Sequence, residues 1–303
     1  MDPATRLPDE LAAHALAFED GSRTPVEPRF ASTVVLLRDG ASVTLGTLGT
    51  PGTLEVYLLR RHVDMAFAAG MCVFPGGGVD PRDFDQSIAW AGPSPAAWAE
   101  RMGVEESLAR ALVCAACRET FEEAGVLLAG PSTDTVVGDT TGADWEADRV
   151  ALESREVSFT DFLARRGLVL RTDLLRLWGS WVTPTFEPRR YDTQFFVAQL
   201  PESQVTRDVS TESDRVLWAP VREAIRVVDA GEMLMLPPTY VTCLELYEYG
   251  AVADALRGAE GRDLTPVRPS VVAEGGGAHL SIPDHLRELT RTVQGRMARW
   301  PPQ

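Results

Sequence analysis

Three carboxylates, Glu119, Glu122 and Glu123, stand three and four positions apart in Arg118-Glu119-Thr120-Phe121-Glu122-Glu123-Ala124-Gly125-Val126. On a helix that spacing puts them on one face. At about 100° per residue, Val113, Cys114, Cys117, Phe121 and Ala124 turn the other way. Gly125 is placed to end the helix. Clustered acids without lysine partners repel one another, so this face calls for a cation. The bland alternative is a solvated acidic face. Against it stands an upstream turn, Phe74-Pro75-Gly76-Gly77-Gly78, whose glycines let backbone carbonyls approach a ligand closely. Carboxylates, carbonyls such as that of Gly77, and water are the ligands of hard divalent cations. Three carboxylates suffice for more than one Mg²⁺ or Mn²⁺, the arrangement that clamps attacking and leaving oxygens in phosphoryl chemistry. Helical iron sites need Glu-x-x-His, and the chain contains no such pair.

Phe74-Pro75-Gly76-Gly77 followed by Arg118-Glu119-x-x-Glu122-Glu123-x-Gly125-Val126 resembles the Nudix box of nucleoside-diphosphate-X hydrolases. Two further stretches resemble one branch, the peroxisomal coenzyme A diphosphatase-like proteins. They are Trp181-Val182-Thr183-Pro184 running on to Arg189-Arg190-Tyr191-Asp192-Thr193-Gln194-Phe195-Phe196, and Leu236-Pro237-Pro238-Thr239. A long insertion between the glycine turn and the acidic helix is also typical of that branch. The resemblance implies an α/β fold, a Nudix-type α/β/α sandwich with a mixed sheet, plus a helical insertion and extra C-terminal helices. It divides the chain into an N-terminal extension (1–29), a hydrolase domain (30–285, with 79–106 inserted in the box) and a tail (286–303). Two positions depart from the pattern. The acid expected eight positions before Arg118 is Arg110 in simple register, with Glu105 and Glu106 the nearest acids. Bacterial coenzyme A-cleaving relatives carry basic residues before the turn, whereas Leu58-Leu59-Arg60-Arg61 is followed here by Ala66-Phe67-Ala68-Ala69.

The implied activity is hydrolysis of a pyrophosphate bond in a nucleoside diphosphate derivative. Coenzyme A or acyl-coenzyme A comes first, giving adenosine 3′,5′-bisphosphate and phosphopantetheine. The alternatives are ADP-ribose, NADH or dinucleoside polyphosphates, or a non-catalytic nucleotide-sensing module. By resemblance Gly77, Glu119, Glu122 and Glu123 hold Mg²⁺ or Mn²⁺, with Glu119 and Glu123 catalytic and Arg118 orienting the acids through charge-assisted pairs. A further acid must take the proton from water. Glu212, in Ser210-Thr211-Glu212-Ser213-Asp214 before Trp218, is the candidate; the duller reading is a solvent-facing loop Glu. Arg189 and Arg190 could fork onto phosphate, and adjacent loop arginines are also what a solvated patch looks like. Phe186 and Tyr191 flank them as candidate stacking partners for adenine, while Phe195 and Phe196 read as core. Arg60 is taken as a substrate contact, although Arg60 and Arg61 alternate across a strand and at most one faces the site. His62 reads as a surface or structural residue.

The elements that must position these groups follow from periodicity and punctuation. Residues 31–38 and 54–61 read as strands joined by a long connection containing Pro51-Gly52, and 71–74 as a short strand entering the glycine turn. Within the insertion 96–102 is helical; 104–124 is the acidic helix; 126–129 reads as a buried strand, and 130–143 as an exposed loop. Ser158 caps a helix through Arg166. Residues 174–183 and 191–200 are paired strands, 216–218 another, and Pro220 and Pro238 open helices. A late hairpin turns at Gly275-Gly276-Gly277.

With 303 residues, 45% hydrophobic, the chain has material for a sizeable core. Its net charge of −15 tells against polymeric nucleic acid or an anionic membrane as partner, whereas bound cations would let a small anionic nucleotide bind. No run of about 20 apolar residues reads as a membrane span. The start Met1-Asp2-Pro3-Ala4-Thr5-Arg6 is not signal-like, and the tail Trp300-Pro301-Pro302-Gln303 matches no address signal. A cytoplasmic location is expected, with a homodimer expected by resemblance and by base rate. The four cysteines read as buried thiols, Cys114-x-x-Cys117 included, since that pair lies on the apolar side of the helix.

Overall fold

A computed structural model describes residues 7, 9–40, 53–64, 68–274 and 277–298. Residues 1–6, the connection around Pro51-Gly52, Ala66-Phe67, the turn at Gly275-Gly276 and the tail from Trp300 lie outside them. In chain order the first elements are α1 (Asp9–Glu19), β1 (Arg29–Asp39), β2 (Leu54–Arg61), β3 (Cys72–Val73), β4 (Gly76–Gly78), β5 (Trp90–Ala91), α2 (Pro95–Met102), α3 (Glu106–Ala124) and β6 (Ala129–Gly130). There follow α4 (Ala143–Glu153), α5 (Phe159–Arg166), β7 (Val169–Arg171), β8 (Leu175–Val182), β9 (Tyr191–Gln199) and β10 (Ser213–Pro220). The last are α6 (Val221–Asp229), α7 (Pro237–Leu246), α8 (Val252–Gly258), β11 (Ser270–Glu274), β12 (Gly277–Ser281) and α9 (Asp284–Met297). Among the described residues no helix is long and apolar enough to cross a membrane.

The chain divides into two compact units, one of residues 31–179 and 194–264, the other of residues 1–30, 180–193 and 265–303. The larger unit is built on a sheet of order β10-β2-β1-β9-β8, with β3 on β2 and β4 on β1. β2 pairs antiparallel with β1, β10 and β3. Its central strands are buried on both faces, which is why they read as apolar runs rather than as alternation. Val34, Leu36, Tyr57 and Leu59 join the core built with α3, α5 and the insertion, while Val35, Leu37, Val56 and Leu58 are also buried. α6 packs on β2 and β10, and α7 on α6. This is the expected sandwich of helices on a β-sheet.

The insertion is knit into that core. β5 pairs with β7 in a small mixed sheet with β6. Trp98 of α2 is buried, edge-on to Phe196 at 5.8 Å, with its indole N–H directed at Thr172. α2 starts at Ser94, whose hydroxyl accepts from Ala97 N–H, and ends at Gly103 with φ +67°, a left-handed cap that suits glycine. Pro220 stands as the cap of α6 rather than its first residue, and α7 opens at Pro237.

One expected strand is replaced by something else. Val126, Leu127 and Leu128 are buried but form no ladder; instead the Gln204 side chain accepts from Leu127 N–H at 2.8 Å and donates to Leu127 C=O at 2.9 Å. A single amide thus stands in for a neighbouring strand, satisfying polar groups that burial would otherwise strand. The loop expected at 130–143 gives way at Ala143 to α4, which the sequence did not reveal.

In the smaller unit α1 packs on the β11–β12 hairpin around Ala15, Phe186, Val271 and Ala278. Val267 exchanges backbone hydrogen bonds with Ser180 and Val182. Leu286, Thr290 and Val293 are the buried residues of α9.

Candidate active site

α3 brings its three acids to one place, and its register explains how. The apolar stripe Val113, Cys114, Cys117, Phe121 and Ala124 is fully in the core, leaving Glu119, Glu122 and Glu123 on the side that meets the glycine turn. Gly125, at φ +68°, ends the helix. The Ser32 hydroxyl donates to Leu112 C=O at 2.6 Å, tying α3 to β1. β1 in turn holds the turn, because β4 pairs with Ala31, Ser32 and Thr33.

The glycines are needed for close approach. A Cβ on Gly77 would lie 2.5 Å from the Glu119 carboxylate, and one on Gly76 would lie 2.5 Å from Ser32 C=O. Gly76 N–H donates to Glu123 Oε2 at 2.8 Å.

Arg118, with 10% of its side chain exposed, threads the cluster. Nη1 donates to Glu119 at 2.7 Å and to Glu122 at 3.2 and 3.3 Å, and Nη2 donates to Gly78 C=O at 3.0 Å. The other edge of the guanidinium forks onto Asp83, Nε to Oδ1 at 3.1 Å and Nη2 to Oδ2 at 3.0 Å. Asp83 is the acid that the register placed at Arg110. It lies near the start of the inserted stretch, in the short turn Pro81–Phe84, where its carboxylate also accepts from Asp80 N–H at 2.8 Å. Counting forward from Gly77 rather than back from Arg118 would have found it. Arg110 instead stacks over Trp90 of the insertion at 5.3 Å, and Glu105 and Glu106 are exposed at the start of α3.

The charge of Glu212 adds to the rise at both Glu119 and Glu123. Glu212 is 53% exposed and pairs with Arg61 at 3.0 Å, while His62 N–H donates to its backbone C=O at 3.0 Å. Strand alternation separates the two arginines. Arg61, not Arg60, acts on Glu123; Arg60 is forked onto Asp214 at 2.7 and 2.9 Å. His62 is exposed.

Burial pushes the Glu119, Glu122 and Glu123 carboxyls above their ordinary range. At Glu119 the opposing pull is Arg118, and the charges of Asp83 and Glu212 push the same way as burial. At Glu122 burial again outweighs Arg118, with Glu119 adding to the rise. At Glu123 burial is reinforced by Glu119 and Glu212, against the Gly76 N–H and Arg61. Asp83, Glu119 and Glu122 thus gather around the buried guanidinium of Arg118, with Glu123 alongside on Gly76 N–H.

In donor chemistry and charge this set suits a hard divalent cation, and the glycine cradle leaves the Glu119 carboxylate unobstructed. Among the described residues no three acid, histidine or cysteine side chains already converge as a metal cage. The reason is visible: Glu119 and Glu122 are turned onto Arg118 and Glu123 onto Gly76 N–H.

Not every expected residue belongs to the larger unit. Arg189, Arg190 and Tyr191 belong to the smaller unit. Arg190 donates to Thr183 C=O and Val26 C=O at 3.1 and 2.7 Å, and Tyr191 N–H bonds the Thr183 hydroxyl. Arg189 is exposed. Phe186 is packed in the core of that unit, so it is no adenine platform. Phe195 and Phe196 are buried, and all four cysteines are free thiols in the core.

Comparison with known proteins agrees with the box. A family profile described as the NUDT19 Nudix domain matches residues 98–246. The acyl-coenzyme A diphosphatase NUDT19 of Gallus gallus is 27% identical over 271 residues, covering 72% of this chain and 70% of that protein. The Homo sapiens acyl-coenzyme A diphosphatase NUDT19 is 27% identical over 250 residues, 69% of this chain and 65% of its own length. The putative nudix hydrolase 7 of Caenorhabditis elegans is 27% identical over 201 residues, 66% of this chain and 57% of its own. The chain thus spans less than two thirds of the human and nematode relatives. The crystal structure of a NUDIX hydrolase from Alicyclobacillus acidocaldarius, 28% identical, superposes with a TM-score of 0.61 over 77% of this chain and 96% of that one. With the box, the fold and the profile in agreement, the chain is similar to the Nudix hydrolases and, among them, to their coenzyme A diphosphatase-like branch.

Proposed function

We propose that the protein hydrolyses the pyrophosphate bond of coenzyme A or an acyl-coenzyme A, yielding adenosine 3′,5′-bisphosphate and (acyl-)phosphopantetheine. The carrying observation is the buried cluster of Asp83, Glu119 and Glu122 around Arg118, with Glu123 held by Gly76 N–H in a glycine turn that a single Cβ would block. The substrate half is supported by the relatives, two of which are acyl-coenzyme A diphosphatases.

Nudix hydrolases use divalent metal ions, and Glu119, Glu122, Glu123 and the Gly77 carbonyl are the groups proposed to hold Mg²⁺ or Mn²⁺ here. Bound there, such ions supply charge neutralisation at the diphosphate and a lower pKa for water. Glu212 is the proposed general base: exposed enough to meet a water, it takes the proton as the water oxygen attacks phosphorus. The bond from phosphorus to the bridging oxygen breaks, and the second phosphate leaves with that oxygen. Arg61 pairs with Glu212 and is the cation proposed to meet the incoming phosphates. Arg118 keeps the acids apart and in register, with Asp83 fixing its far edge.

Product masses from purified protein with Mg²⁺ or Mn²⁺ test this, over coenzyme A, acyl-coenzyme A, ADP-ribose, NADH and diadenosine polyphosphates. Adenosine 3′,5′-bisphosphate from coenzyme A is expected, with turnover lowered by about 10³-fold in Glu123→Gln. Turnover of ADP-ribose or NADH without coenzyme A would overturn the substrate and keep the site. Undiminished turnover in Glu123→Gln would overturn the site.

A further inference from the structure

Glu212 stands at the end of a loop just ahead of β10, where its backbone C=O accepts from His62 N–H at 3.0 Å. Its side chain has one ion pair, to Arg61, and is half exposed. Two further contacts lie ahead of it in the chain, at Thr211 and Arg207, and lead to α4. Thr211 donates twice to Glu153 Oε1, from its backbone N–H at 3.2 Å and its hydroxyl at 2.6 Å. Further up the loop Arg207 Nη1 donates to Glu146 Oε2 at 2.6 Å, while Arg207 N–H donates to Ala124 C=O at 2.9 Å at the end of α3.

Both receiving acids share one cation. Arg149, with 4% of its side chain exposed, donates to Glu146 from Nε at 3.0 Å and from Nη2 at 2.7 Å. Its Nη1 donates to Glu153 Oε2 at 2.9 Å and to the backbone C=O of Glu122 at 2.8 Å. One buried guanidinium therefore joins the acidic helix to both tethers of the Glu212 loop. A fork of this kind has little freedom to slide, because each of its three nitrogens already donates to an acceptor.

We propose that Arg149 is a positioning residue. Through Glu153 and Thr211 it sets where Glu212 stands relative to Glu119 and Glu123, and through Glu146 and Arg207 it fixes the loop's other end to α3. The inference rests on the hydrolase reading of the acidic site, with Glu212 as base. Its mechanism is geometric: displacement of a proton acceptor by about 1 Å lowers turnover by up to about 10²-fold without weakening substrate binding.

The test is a double-mutant cycle with an independent exchange measurement. Thr211→Val deletes an exposed hydroxyl and spares the core. Expected is a fall in kcat of about tenfold with KM within about twofold, and no further fall when Thr211→Val is added to Glu212→Gln. A Thr211→Val effect that simply adds to that of Glu212→Gln, or no effect in either background, would overturn the proposal. Separately, amide exchange at Thr211 should quicken at least about tenfold in Arg149→Met, with the central amides of α3 still protected. Unchanged exchange at Thr211 overturns the tether. Should the wild type turn over no substrate of the panel, the function reading falls and the exchange result still decides the tether. Should Arg149→Met not fold, the Thr211→Val cycle decides.

Discussion

Two arginine-bearing regions look alike as sequence and differ as structure. Arg118-Glu119 in α3 and Arg189-Arg190 ahead of Asp192 each set guanidinium groups beside carboxylates. Arg118 spends its N–H groups on Asp83, Glu119 and Glu122, three acids from two segments of chain, with a single carbonyl besides. Arg190 spends its N–H groups on the backbone carbonyls of Thr183 and Val26. The first arrangement concentrates charge that burial penalises and fold stability alone does not require. The second pins chain to chain. The acceptor type separates a region built to handle charge from one built to hold a shape.

The largest test of that contrast is Arg118→Met. It leaves Asp83, Glu119 and Glu122 buried without their cation, so a loss of about 3–5 kcal/mol is expected in urea unfolding, with turnover abolished. A loss under about 1 kcal/mol would mean that the acids reach solvent and that the cluster is no more demanding than a surface patch. Next is Asp83→Asn, which weakens one edge of the fork and leaves the helix acids in place. Turnover should fall by about 10–100-fold, the range seen when groups that orient metal ligands are changed. The same change at exposed Glu105 or Glu106 should leave turnover as it was. If Glu105 or Glu106 proved sensitive and Asp83 silent, the backward register would be right and the fork incidental.

That reversal of register shows how far the sequence could be read. The acidic helix was legible because a 3.6-residue apolar stripe, three acids and a terminal glycine all agree on one register. The strands β1 and β2 were legible as apolar runs bounded by polar residues. Asp83 was not, because an insertion breaks the count between Gly77 and Arg118, and spacing carries information only along continuous helix. Arg61 and Arg60 could not be told apart, because alternation says that they face opposite ways without saying which way is inward. The strand expected at 126–129 failed for a different reason. Burial of Val126, Leu127 and Leu128 was read correctly, but the hydrogen-bond partner of Leu127 is a side chain, Gln204, 77 positions away. α4 had no strong apolar stripe to announce it; its role is polar, and it became visible only through Arg149.

A smaller effect is expected in the second region. Arg190→Ala removes hydrogen bonds from a charged donor to two carbonyls and should lower stability by about 1–3 kcal/mol, with kcat/KM unchanged once the protein is folded. A raised KM at unchanged melting temperature would instead give this loop a substrate role and erase the contrast with α3.

The smallest expected effect is the most discriminating, because both regions contain acids that burial raises. Glu122 is pushed up to about 7 from an ordinary 4.5, chiefly by burial. Glu187 and Asp192 are raised as well, again by burial first. A carboxyl raised in the folded state holds a proton there that the unfolded chain has already lost. Stability is therefore fullest below the unfolded value and declines as pH climbs through the folded one. For Glu122 that window runs from about 4.5 to about 7. Metal-free protein in chelator should accordingly lose a few degrees of melting temperature across it. In a Glu119→Gln/Glu122→Gln/Glu123→Gln variant most of that slope should vanish, and in Glu187→Gln/Asp192→Asn it should persist. The opposite pattern would place the strained acids in the loop ahead of β9 rather than on α3. The helix acids would then be ordinary paired carboxylates, and the charge-handling role assigned to α3 would have no energetic signature left.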